Sequence, residues 1–319
     1  MSLAKRILDG DLGAASRLMT NIDDEEDSAI EELKALYPMT GKAWIIGITG
    51  PSGVGKSTLV NKMVEAFRSG PKTVGVIAVD PTSPFSGGAI LGDRVRMQSH
   101  STDEGVFIRS LATRGHLGGI SRSTHDIIKV MDAMGKDSIF VETVGVGQDE
   151  VDIVNAADTT IVVLVPGLGD SIQAMKAGVL EIGDIFVINK CEQEGTDRLE
   201  QELSFMLQTG ENRSDDWTIP ICRTEAIKGV GINKLILGIH RHQEMLNRKG
   251  LRQQREKERV KIEFLEILRS SLMNKLLQKL SQNGNLDRML ETIAKRERDP
   301  YTVVEEIIQN ILPKNGTKL

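Results

Sequence analysis

From Lys42 to Gly250 the chain alternates between two kinds of pattern. One is a short, continuous apolar run: "AWIIGIT", "KTVGVIAVD", "GVFIRSLA", "DSIFVETVG", "TTIVVLVPG", "DIFVINK" and "TIPICRT". The other is a longer stretch with apolar residues at helical spacing, such as "KSTLVNKMVEAFRSG" and "SRSTHDIIKVMDAMG". Runs without an exposed polar alternate suit strands buried on both faces, and helices between them suit parallel crossovers. The pattern predicts an α/β fold, a mostly parallel sheet flanked by helices.

The ends read differently. "SLAKRILDG" and "LGAASRLMTN" predict short helices, and "DDEEDSAIEELKALY" predicts another after Asp23 and Asp24. After Gly250, "LRQQREKERVKIEFLEILRSSLMNKLLQKLSQNG" predicts one long helix, highly charged at its start and amphipathic from Ile262. "NLDRMLETIAKRER" and "PYTVVEEIIQNIL" predict two more, the last opened by Pro300. Three parts are therefore expected: a helical extension over 1–41, a nucleotide-binding domain over 42–250, and a helical arm over 251–319. In the arm, Ile262, Phe264, Leu265, Ile267, Leu268, Leu272, Leu276, Leu277 and Leu280 form a stripe wide for a lone surface helix. It needs a second face, either the chain's own domain or a second chain, and the expectation is a homodimer.

Composition narrows the classes. The net charge is −5 with acids and bases interspersed, so no basic footprint for nucleic acid is expected. The start "MSLAKRILDGDLG" lacks the apolar core of a secretory signal, and "TTIVVLVPG" is far shorter than the roughly 20 residues that span a bilayer. Two cysteines, Cys191 and Cys222, make no disulfide framework and fit reduced thiols. The expected setting is the cytoplasm, away from membranes.

The chemistry concentrates in "GITGPSGVGKST". Gly50, Gly55, Lys56 and Ser57 fill the pattern G-x-x-x-x-G-K-[ST], with a strand before and a helix after. Glycines let backbone N–H groups close around phosphates, and the following helix directs its positive end at the anion. Gly50, Pro51, Ser52, Gly53, Val54, Gly55, Lys56, Ser57 and Thr58 are the expected phosphate cradle. Lys56 would reach the β and γ oxygens, and the Ser57 hydroxyl would reach Mg²⁺. Acids at strand ends, Asp80 and Glu142, and a third, Asp93 in "ILGDRVRM", are the candidates for the metal's carboxylates.

"VINKCEQ" raises the question of the base. Asn189 and Lys190 follow a strand, as in a guanine-reading Asn-Lys-x-Asp loop, but the fourth residue is Glu192. Its carboxylate can accept from guanine N1–H and the 2-amino group, which adenine cannot offer. The extra methylene shifts the carboxylate by about 1.5 Å, so relaxed guanine selectivity is expected. In "CRTEAIKGVG", Ala226 is the expected match to a second base-facing loop, with Glu225 where a serine usually stands. His100, His116 and His125 lack metal-ligand spacing and are read as non-ligands.

Taken together, "GPSGVGKST", "VDPTSPFSGGAILGDRVRM", "SLATRGHLGGIS", "VETVGVGQDE", "PGLGDSIQAMKAG" and "VINKCE" resemble the methylmalonyl-CoA mutase-associated GTPases, the MeaB/ArgK family. The resemblance covers nearly the whole chain, and the segment from Asp80 to Met97 is its most specific part. It implies a P-loop GTPase that binds GTP or GDP with Mg²⁺. It further implies a chaperone gating cofactor loading and protection of a coenzyme-B12-dependent acyl-CoA mutase, without tightly bound B12 of its own. The family's metal-site acids fall on Asp80, Asp93 and Glu142. Within this frame "ETVGVGQ" is expected to be a second switch, with Gly145 placed for a backbone bond to the γ-phosphate. Gln148 lies three residues past Gly145 rather than directly after it, so its role as water-positioner stays open. "VPGLGDSIQAMKAG" is marked as a third switch facing the mutase, with Lys176 as its cation. Arg94 and Arg96 either help order the first switch or are surface charges. Two alternatives remain: a kinase tied to basic amino-acid transport, the family's older label, and a nucleotide-dependent scaffold without turnover.

Overall fold

The structure is a computed structural model that describes residues 1–80, 100, 102–112, 122–143, 153–167, 179–209, 217–281 and 284–311. Among these, seven strands form one sheet: β1 (Trp44–Thr49), β2 (Val74–Asp80), β3 (Val106–Ala112), β4 (Ser138–Glu142), β5 (Thr159–Leu164), β6 (Ile185–Ile188) and β7 (Ile221–Arg223). Their order is β3-β2-β4-β1-β5-β6-β7, and all pairings between these strands are parallel. The apolar runs read from the sequence thus become strands, the inner ones buried on both faces and the edge strands β3 and β7 only in part. β4, β5 and β6 are buried at every position.

Helices cover both faces. Besides a short one at Val179–Ile182, the described ones are α1 (Leu3–Leu8), α2 (Leu12–Asp23), α3 (Ser28–Leu36), α4 (Lys56–Arg68), α5 (Arg122–Ala133), α6 (Thr196–Thr209) and α7 (Ile232–Arg248), followed by α8 (Leu251–Ser281), α9 (Asn285–Ala294) and α10 (Pro300–Ile311). On one face Leu59, Val60 and Met63 of α4 and Leu235 and Ile239 of α7 pack with Ile46, Ile48 and Phe140. On the other, Leu18 and Met19 of α2 and Ile127 and Met131 of α5 pack with Ile77, Ile139 and Val141. Alternation along β1 and β4 sends successive side chains to opposite layers. A smaller cluster joins Leu199 and Leu203 of α6 to Val162, Leu164, Phe186 and Ile188.

The N-terminal helices start where polar side chains cap them. Ser2 accepts from Lys5 N, and Asp11 accepts from Ala14 N at 3.0 Å. Glu32 of α3 accepts from the backbone of Leu3 and Ala4 and ties α1 down. The third helix begins later than the acidic run suggests. Asp23 closes α2, and α3 starts at Ser28.

The molecule divides into two compact units, Met1–Arg255 and Glu256–Leu319. The first holds the sheet. The second holds most of α8, with α9 and α10. At its last helix Asp299 accepts from Thr302 N at 2.9 Å and from Thr302 Oγ1 at 2.6 Å, and Pro300 occupies the first helical position.

Candidate functional site

In a parallel sheet of this order the carboxyl ends of all strands lie along one edge, where the connecting loops meet. β1 ends at Thr49 and runs into 50–55, then α4. Gly50 (φ +137°) and Gly55 (φ +92°) hold conformations that L side chains rarely adopt. Space excludes a side chain as well. A Cβ on Gly50 would lie 2.2 Å from Val163 O, and one on Gly55 would lie 2.6 Å from Asn189 Nδ2. The loop is therefore wedged between β5 and the loop that follows β6.

Lys56 opens α4 and is buried. Its Nζ donates to Gly50 O at 2.7 Å and Pro51 O at 3.1 Å, which keeps the ammonium at the mouth of the loop. Ser57 Oγ donates to Glu142 Oε1 at 2.6 Å. This bond joins the start of α4 to the end of β4, and both residues are nearly closed to solvent. A hydroxyl and a carboxylate side by side at a helix N-terminus are hard oxygen donors of the kind Mg²⁺ takes. β2 pairs Ala78 with Glu142, so Asp80 stands two residues further along the neighbouring strand, toward the same edge. Thr143 continues the corner: its N–H donates to Ile48 O at 3.0 Å and its hydroxyl to Thr49 Oγ1 at 3.1 Å.

Asn189 stitches three loops together. Its Nδ2 donates to Val54 O at 2.9 Å. Its Oδ1 accepts from Thr224 Oγ1 at 3.0 Å and from Ala226 N at 3.1 Å. Lys190 takes the left-handed conformation (φ +55°) and reaches Gly53 O with Nζ at 3.0 Å. Gly50, Pro51, Ser52, Gly53, Val54, Gly55, Lys56, Ser57 and Thr58 are thus gathered with Asn189, Lys190 and Ala226 at one edge of the sheet. Glu192 sits exposed on the same loop as Asn189. Asp93, Gly145 and Lys176 lie outside the described residues, as do Arg94, Arg96 and Gln148. Thr143 and Thr224 lie within the quoted loops but carry no expected role there.

The profile of the family described as "Methylmalonyl Co-A mutase-associated GTPase MeaB" matches residues 15–281. The chain belongs to this family. Within it, a protein of Pyrococcus abyssi is 46% identical over 312 residues, spanning 97% of this chain and 96% of its own length. GTPase ArgK of Escherichia coli is 32% identical over 297 residues, spanning 89% and 87%. A crystal structure of a LAO/AO transport system kinase has a TM-score of 0.70 at 23% identity, over 97% of this chain and 96% of that one, and so shares the fold. The protein is a MeaB-family GTPase.

Proposed function

We propose that this GTPase is a chaperone for a coenzyme-B12-dependent acyl-CoA mutase of the methylmalonyl-CoA mutase type, gating cofactor loading and protecting the mutase in turnover. Residues 50–58 cradle the phosphates in this reading. Lys56 meets the charge that builds on the β and γ oxygens as water displaces GDP from the γ-phosphorus. Ser57, Asp80, Asp93 and Glu142 would hold Mg²⁺, which would supply neutralisation of the phosphate charge. Asn189, Lys190, Glu192 and Ala226 read guanine. Gly145 and Lys176 sense the γ-phosphate and the partner. The three parts assigned to 1–41, 42–250 and 251–319 serve as cover, engine and dimer arm, and the protein works in the cytoplasm.

The observation that carries the nucleotide chemistry is the Ser57–Glu142 bond beside a glycine loop held open by Gly50 and Gly55. The mutase reading is supported by the description of the family the chain belongs to. Phosphate release from GTP, measured with and without purified methylmalonyl-CoA mutase, tests it. Where a partner orders a switch, turnover rises by about tenfold or more. A rate that the mutase leaves unchanged, together with no complex on a non-hydrolysable GTP analogue, would remove the chaperone role. Transfer of the γ-phosphate to a protein acceptor would point to a kinase instead.

A further inference from the structure

Two acid-bearing positions fall side by side where the base-facing loops run together. Cys191 N donates to Thr224 O at 3.1 Å, while Thr224 Oγ1 and Ala226 N both bond Asn189 Oδ1. These bonds lay 189–192 along 224–228. Glu192 follows Cys191, and Glu225 follows Thr224, so the two carboxyl-bearing positions are neighbours across the loops. Like charges on neighbouring positions repel, and glutamate has one more rotatable bond than aspartate with which to swing away. A carboxylate that must accept from guanine needs the opposite, a fixed place.

Lys228 is the cation of this corner. Its Nζ lies 2.5 Å from Glu225 Oε1, and its backbone N–H donates to Glu225 O at 3.1 Å. The turn that carries it is closed on both sides, by Gly229 at φ +73° and by the Glu225–Val230 bridge. The Glu225 bond raises the Lys228 pKa, and the charge of Glu192 adds to the same effect more weakly. Among the described residues, Lys190 Nζ is engaged with Gly53 O, and Arg223 with Asp197 and Glu200.

We propose that Lys228 is a positioning residue for base recognition: fixed by Glu225, its ammonium neutralises the acidic pair and draws the Glu192 carboxylate to the mouth of the base pocket, which sharpens selection of guanine nucleotides. The two departures from the usual guanine-reading loops, Glu192 and Glu225, then compensate one another through one lysine. This rests on Glu192 being the guanine reader.

Calorimetry of the full chain with GDP, IDP and ADP tests it, since IDP lacks the 2-amino group and ADP offers no donor at N1. Lys228→Met should weaken GDP about two- to fivefold, the range of an exposed ion pair. IDP should weaken less and ADP should not change. The loss should shrink in about 0.5 M salt, where exposed charges are screened, and Lys228→Arg should restore GDP binding. In a Glu192→Ala background, Lys228→Met should add nothing. An unchanged GDP-to-ADP ratio in Lys228→Met, equal weakening of both, or an undiminished effect without Glu192 would overturn the proposal. Glu192→Ala alone separates the layers. If it leaves GDP affinity as in the parent, the guanine-reading role of Glu192 falls and the proposal with it. If it weakens GDP while Lys228→Met does not, only the role of Lys228 falls.

Discussion

Ser57 and Glu142 are 85 positions apart in the chain and 2.6 Å apart in the fold. The distance matters because a hydrogen bond to a charged group contributes about 1.5–3 kcal/mol. If the pair lies on the reaction path, Glu142→Ala and Ser57→Ala should each slow Mg²⁺-dependent GTP turnover about ten- to a hundredfold. The double variant should lose less than the sum, because the two act through one contact. Steady-state phosphate release checks this, with a thermal melt to show that each variant folds; parental turnover in Glu142→Ala would take Glu142 out of the site. Both residues were legible in the sequence, one from the phosphate-loop pattern and one from its place at the end of an apolar strand. Thr143 and Thr224 were not. Each acts through a hydroxyl aimed at a partner far along the chain, Thr49 or Asn189, and nothing local in the sequence marks such a pairing.

Elements were easier to read than contacts, because an apolar run of the right length has few other uses. β1 through β7 all fall within the runs quoted above, and Pro300 opens α10 where expected. The start of α3 was displaced because Asp23 and Asp24 end α2 instead of capping its successor. Wholly invisible was the polar knot at the amino ends of the strands, opposite the edge that carries the glycine-rich loop. Trp44 Nε1 donates to Thr159 Oγ1 at 3.0 Å, and Thr159 Oγ1 lies 2.9 Å from His242 Nδ1. Asp184, just before β6, accepts from Thr160 N at 2.8 Å and from both terminal nitrogens of Arg255, at 3.0 and 3.2 Å. Burial opposes ionisation of Asp184, but His242 and Arg255 outweigh it and hold the carboxyl below its ordinary range. A lowered carboxyl pKa stabilises the fold in full above the ordinary value of about 3.9 and stops doing so as pH falls through the lowered one. Arg255→Ala should therefore cost about 1–2 kcal/mol near neutral pH, discounted for the partly exposed guanidinium, and much less near pH 3. Urea unfolding at the two pH values measures it, and an equal loss at both would refute the ion-pair account.

At the scale of the whole molecule, the second unit leaves many of its apolar side chains in view, although Val303 is buried. α8 buries no residue fully, and Phe264 (60%), Leu265 (51%), Leu268 (41%) and Leu272 (60%) are all substantially exposed. Leu265, Leu268 and Leu272 follow one another at spacings of three and four, one side of a helix. Met273 and Leu277 extend the surface, and Leu290, Val304 and Ile308 of α9 and α10 are exposed too. A leucine buried from such a position contributes about 1.5–3 kcal/mol at most, so a handful covered together suffices for a stable contact, provided the interface exceeds about 1,000 Å². Of the stripe anticipated in the sequence, Phe264, Leu265, Leu268, Leu272 and Leu277 are exposed, while Ile262, Ile267, Leu276 and Leu280 are half-buried; the occupant the exposed part predicts is a second copy of this chain. Light scattering should give twice the chain mass for the parent. Leu268→Glu with Leu272→Glu places two charges inside the contact, where burial without partners is costly, and should give the mass of one chain. Because neither leucine belongs to Met1–Arg255, nucleotide affinity should be as in the parent. A parent that is monomeric at all accessible concentrations, or a charged variant that stays dimeric, would rule this face out as the dimer contact.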